Sequence, residues 1–277
     1  MSDEWEEISK EEFESNCEIF EYKKEEFGNP DFMEMMRYTK SKGISPNFTM
    51  TGIDLTDEIA GEVSRLCGAV AISAYEGRKD LCYDTVKKMT DRGMNQVNIH
   101  LMASQQTLPF VYEVMRDTKT DPRLEKLNAV VFLGLKPKGR AKNHFSTLNY
   151  EKFKDLFEFC LKEEMRIGFD SCSAPKFERA VTDTDCIDEN QKKSLIQLSE
   201  SCESALFSSY INVEGKFFPC SFMENEKEWD GNGVSVVDAP EFLDSVWHHP
   251  KVAKWRKDLI ESSVNGCRRC MAFSEVN

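Results

Sequence analysis

The chain has 277 residues, 40% of them hydrophobic, and a formal net charge of −13 from 49 acidic and 36 basic side chains. That length suffices for one large α/β domain or for a medium domain with an appendage. The negative charge, with no local basic patch, disfavours binding to a phosphate backbone, so no nucleic-acid partner is expected. No segment reaches the roughly 20 apolar residues of a membrane span, and the start, MSDEWEEISKEEFESN, is acidic and lacks an apolar signal region. A cytoplasmic protein without a membrane partner is the expectation.

The segment CEIFEY (17–22) is a weak strand candidate. From Phe32 the pattern alternates. FMEMMRYTKSK reads as a helix stopped by Gly43, and ISPNFTMTG as a short strand ending in a glycine turn. A helix over 54–66, with Thr56 and the acidic Asp57 and Glu58 at its start, precedes GAVAISAY, an apolar run of the kind buried in a parallel sheet. Then come a helix (DLCYDTVKKMTDRG), a strand (NQVNIHLM), a helix near 107–116, a strand (NAVVFLGLKP), a long helix over 150–163 and the strand MRIGFD. Repeated β-α alternation implies a parallel sheet flanked by helices, with five or six strands.

After Asp170 the alternation of long helices and apolar strands stops, and SSYINVEGKFFPCSF reads as a hairpin turning at Glu214-Gly215. A helix over 250–262 carries Trp255 and leads into NGCRRC. The boundary is placed near residue 180: an α/β part over 1–180 and a small Cys-rich part with a β-hairpin over 181–277.

Ten cysteines in a chain read as intracellular point to metal ligation, redox chemistry or burial. Cys67, Cys82 and Cys160 lie in apolar-periodic segments and read as small core residues. Cys202, Cys220, Cys267 and Cys270 lie beside turns and are the ligand candidates. A CxxC loop plus a pair on a hairpin suits a four-thiolate shell, for zinc or for an iron-sulfur cluster. Of the histidines, His100 lies on a buried-type strand, where a core or inner-face side chain is the simpler reading, and the adjacent His248 and His249 are weak ligand candidates.

The spacing from Cys202 through Gly215 to Cys220 resembles the C-x(9–15)-G-x4-C opening of the SPASM or twitch domain of radical S-adenosylmethionine enzymes. YINVEGKFFPCSF, GNG at 231–233, and FLDSVWHHPKVAKWRKDL before CxxC are similar to that family as well. By this resemblance Cys202, Cys220, Cys267 and Cys270 would hold one auxiliary 4Fe-4S cluster, with Cys186 and Cys172 as substitutes. The α/β part bears a fainter likeness to the family's partial (β/α) barrel. NPDFMEMMRYTKSKGISPNFTMTG resembles the stretch ending in its TNG turn, VAISAY places Ser73 where the cofactor ribose is approached, and LKPKGRA places Arg140 beside the bound cofactor. The implied S-adenosylmethionine site comprises Ser73 and Arg140.

The family's CxxxCxxC loop is missing, and the stretch matching its GGEP motif reads KKEE (23–26). By itself this chain should not cleave S-adenosylmethionine. The resemblance therefore implies either a peptide- or protein-modifying oxidoreductase whose CxxxCxxC segment comes from a separate polypeptide, or a non-catalytic iron-sulfur or zinc module that recognises a peptide.

Overall fold

The computed structural model describes residues 29–139 and 141–273. The candidate strand at 17–22, Cys17, KKEE and Arg140 lie outside the described residues. Helix α1 (Phe32–Ser41) leads to strand β1 (Asn47–Met50), followed by α2 (Asp57–Leu66), β2 (Ala69–Ser73), α3 (Lys79–Thr90), β3 (Val97–Ala103), α4 (Leu108–Thr120), β4 (Ala129–Gly134), α5 (Tyr150–Lys162) and β5 (Ile167–Phe169). Helix α2 starts where its cap requires: the Thr56 side chain accepts from Ile59 N–H, with Asp57 and Glu58 in the first turn. Asn149 caps α5 by accepting from Lys152 N–H.

The five strands form one parallel sheet in the order β1-β2-β3-β4-β5, so each crossover joins nearest neighbours. Crossovers of one hand between neighbouring strands put all the helices on one face. Strand β3 records the result. Val97, Ile99, Leu101 and Ala103 are buried among α3 and α4 side chains, whereas Asn98, His100 and Met102 between them are half-buried on the opposite face. Strand β2 is buried at Val70, Ala71 and Ile72, as its unbroken apolar run requires. The α/β core is completed by Phe132, Leu156 and Phe157.

Two helices follow β5, α6 (Ala174–Asp183) and α7 (Glu189–Gln197), so α6 runs through the boundary expected near residue 180. Its start is hidden in SCSAP, where Ser, Cys and Pro read as a loop, although Pro at a first helical turn is compatible with a helix. Helix α7 opens with a capping box between Asp188 and Gln191. A separate antiparallel sheet then forms from β6 (Tyr210–Ile211), β7 (Lys216–Phe218) and β8 (Val234–Ser235), in that order. The expected hairpin joins β6 and β7, with Gly215 at φ +69°; β8 is too short for the sequence to announce. Helix α8 (Pro250–Glu261) packs Val252 and Trp255 against Phe217, Phe218, Trp229 and Val246, a second small core. No helix among the described residues is long and apolar enough to cross a membrane.

The glycine turn after β1 is a close approach. At Gly52 (φ +87°) an added Cβ would lie 2.0 Å from Thr85 Oγ1 on α3, whereas at Gly77 (φ +79°) it would meet nothing within 4 Å. Gly77→Ala should cost about 1–2 kcal/mol from the backbone alone. Gly52→Ala should cost a further ~1–3 kcal/mol from overpacking. Urea unfolding of both variants checks this; equal midpoints would contradict the packing assigned to Thr85.

Candidate functional site

The cysteines converge where the parallel sheet ends and the small sheet begins. Strand β5 is followed by a short 3-10 turn, Ser171–Ser173, whose cap is Asp170: its Oδ1 accepts from Ser173 N–H at 3.1 Å and from Ser173 Oγ at 2.5 Å. The other Asp170 oxygen is bonded to Lys136, which follows β4 and whose side chain is 4% exposed. This buried pair joins the ends of neighbouring strands, and losing either partner would leave a desolvated charge. The turn that Asp170 holds carries Cys172.

The C-terminal CRRC comes to the same place through two devices. Val264 and Cys267 exchange both backbone hydrogen bonds, each 3.0 Å, around Asn265 (φ +53°) and Gly266 (φ +87°), a two-residue turn of the kind that Asn-Gly favours. Arg268 then clamps the tail, donating from Nε to the Cys202 carbonyl at 2.5 Å and from Nη2 to the Ser201 carbonyl at 3.1 Å. Cys202 itself precedes Ser204, a buried hub whose hydroxyl bonds to the Pro219 carbonyl and to Trp255 Nε1, each at 3.0 Å. Pro219 is the residue before Cys220, so this hub ties the Cys202 and Cys220 loops to α8.

The Cys270 sulfur acts on three others, those of Cys172, Cys202 and Cys220. The Cys172 thiol shares a hydrogen bond with Cys270, which pushes Cys172 up and holds Cys270 down. The N–H groups of Ala272 and Phe273 also favour the Cys270 thiolate, Phe273 N lying 3.4 Å from the sulfur. Burial pushes Cys202 up to about 11, opposed by Ser204 N–H, and the negative charges of Cys270 and Cys220 add to the rise. Burial likewise raises Cys220, opposed by the N–H groups of Phe222 and Met223 and by the Ser204 hydroxyl.

A pattern links three of these. Cys202, Cys220 and Cys270 each have backbone N–H groups two, or two and three, residues later that favour the thiolate. Such donors are how a chain steadies sulfur charge and tunes a metal held by thiolates. Buried thiols that repel one another as thiolates are also what a cation would relieve, since ligation needs the deprotonated form. On donor chemistry the set fits a thiolate-held metal group. Among the described residues, no group of three or more His, Cys, Asp or Glu side chains has the arrangement for a single metal ion.

Cys267 stands differently. Its thiol is pushed up to about 12 by burial first and then by the charge of the Glu178 carboxylate on α6, and its Sγ lies 4.0 Å from the Arg268 carbonyl. Of the four cysteines singled out by turn position, three therefore interact with one another and Cys267 meets a carboxylate instead. Cys172, on the turn just after β5, is the further cysteine whose thiol interacts with Cys270. Cys186 is exposed between α6 and α7. His249 caps α8, its Nδ1 accepting from Lys251 N–H at 3.2 Å.

Ser73 ends β2 in register with His100 on the half-buried face. Burial lowers the His100 pKa, with Asp170 opposing. The loop after β4 reaches the small sheet: Lys138 Nζ donates to the Phe222 carbonyl at 3.0 Å and also to the Glu224 carbonyl. Lys136 Nζ lies 5.3 Å from the centre of the Phe222 ring. Neither lysine was marked by spacing or motif. No protein-family model matches the chain, and no curated protein matches it.

The pull toward thiolate should make Cys270 more reactive than the buried core cysteines in the metal-free chain. At neutral pH iodoacetamide should label Cys270 ahead of Cys82 and Cys160, whose thiols burial pushes up to about 12. Peptide mass spectrometry reads the order, and equal labelling of the three would contradict it.

Proposed function

We propose that this chain is an iron-sulfur protein that holds one 4Fe-4S cluster on Cys202, Cys220, Cys270 and Cys172. The observation that carries the reading is the set of N–H groups favouring three of these thiolates, with Phe273 N 3.4 Å from the Cys270 sulfur, beside the interaction of Cys172 with Cys270. A cluster spreads its thiolates over several irons, wider than the shell of one ion, which is compatible with cysteines that interact without enclosing a single-ion site. When bound, such a cluster supplies one-electron transfer or an anchoring iron.

The protein's own residues prepare that site. Asp170 fixes the turn of Cys172, Arg268 holds the tail against the Cys202 loop, and Lys136 brings positive charge that favours thiolate at Cys172 and Cys270. The α/β part is read as the arc of a (β/α) barrel, supported by five parallel strands in sequence order. Its half-buried face, with Ser73 and His100, is the proposed seat for a peptide or protein substrate. S-adenosylmethionine chemistry there would require a CxxxCxxC loop from a second polypeptide, because this chain's sequence contains none. That lack favours a second reading, a non-catalytic module in which the thiolates hold iron-sulfur or zinc and the sheet face binds a peptide.

Purification without oxygen, with iron, sulfide and zinc analysis, tests the assignment. About four irons per chain are expected for a 4Fe-4S cluster. Cys172→Ala should lose them and Cys267→Ala should keep them. Retention in Cys172→Ala with loss in Cys267→Ala would overturn the ligand set, and one zinc with no iron would overturn the cluster.

A further inference from the structure

A separate feature lies on the far side of β5. Among the described residues β5 pairs only with β4, so its other edge is open. The register determines which groups face outward. Val130 N–H donates to the Arg166 carbonyl at 3.1 Å, and Asp170 N–H donates to the Phe132 carbonyl at 3.1 Å. In a parallel strand alternate residues bond to alternate sides. Arg166, Gly168 and Asp170 therefore turn their backbone groups toward β4, while Ile167 and Phe169 turn theirs away from it.

Along that edge runs a cleft of about 540 Å³, lined by Ile167, Phe169, Leu195 and Leu198, with Arg166 and Glu200 among its charged groups. Leu198, just past the end of α7, is 76% exposed. Arg166 makes no ion pair among the described residues. An edge strand with free backbone groups invites another strand, and proteins ordinarily blunt such edges with charge or cover them. Here the three-residue edge carries charge at Arg166 and Glu200, and between them Ile167, Phe169, Leu195 and Leu198 leave an apolar concave surface.

We propose that the β5 edge is a peptide-docking site whose occupant is an extended segment of a partner polypeptide, added as a strand beside Ile167 and Phe169. Its backbone takes up their N–H and C=O groups, and its alternate apolar side chains enter the cleft beside Leu195 and Leu198. A carboxylate on the segment meets Arg166. This is strand addition, in which main-chain bonds give affinity and side-chain pockets give selectivity. Asp170 and Ser171, which hold the Cys172 turn, border one end of the cleft, whereas Leu195 and Leu198 line it away from that turn.

Random linear peptides displayed on phage and selected on the intact purified chain provide the test. Enriched peptides should alternate apolar residues and carry an Asp or Glu. As synthetic peptides they should bind the Leu198→Glu chain at least ~10-fold more weakly, a loss of about 1.4 kcal/mol, and N-methylation of alternate amides should abolish binding. Selection on Arg166→Glu should exchange the acidic residue for a basic one. Because Leu198 is so exposed, its variant should match the parent's thermal melt, which separates lost docking from lost folding. No enrichment, undiminished binding to Leu198→Glu, or tolerance of N-methylation would overturn the proposal.

Discussion

The cysteine end of the molecule depends on the desolvation of sulfur. Cys172, Cys202, Cys220 and Cys270 are brought together by four separate loops, and three of them are pushed toward the thiol form, Cys202 and Cys220 chiefly by burial and Cys172 chiefly by its bond to Cys270. Nearby backbone N–H groups pull the other way at Cys202, Cys220 and Cys270, and Lys136 does so at Cys172 and Cys270. The opposition has a physical resolution in a cationic metal group, which favours thiolate and removes the mutual repulsion. The surrounding contacts follow from holding those loops: Asp170 on its turn, the Ser204 hub between the Cys202 and Cys220 loops, and the Arg268 clamp on the tail.

The same contacts join the two sheets. The Lys136–Asp170 pair bridges the ends of β4 and β5, and Lys138 binds carbonyls that follow β7. The sulfurs consequently sit at the C-terminal ends of the parallel strands, where the loops of α/β proteins commonly build their sites. Ser73 and His100 lie on the face opposite the helices, and β3 shows why: its alternation buries Val97, Ile99 and Leu101 and leaves Asn98, His100 and Met102 half-buried. A site on that face and a cluster at the strand ends would belong to one architecture.

Much of the fold was legible. Strands β2 to β4 are apolar runs separated by helices of matching length, and the hairpin at Gly215 needed a residue tolerant of positive φ. Helices α6 and α7 were missed because their caps fall in stretches rich in Ser, Cys and Asp, which read equally well as loop. The two-residue β8 carries too little pattern to detect. At the site, CxxC spacing suggested that Cys267 and Cys270 act together. The Asn265-Gly266 turn and the Arg268 clamp lie on either side of Cys267, and its thiol meets Glu178, an interaction that exists only once α6 is folded. The interaction of Cys172 with Cys270 exists only once the loops carrying them are brought together, so no spacing in the sequence announces it.

Anomalous diffraction at the iron edge, from crystals of protein prepared without oxygen, tests the central claim most directly. The account predicts a single iron peak enclosed by the sulfurs of Cys172, Cys202, Cys220 and Cys270, with Cys267 still beside Glu178. A peak bonded to Cys267, or no iron peak among these sulfurs, would contradict it.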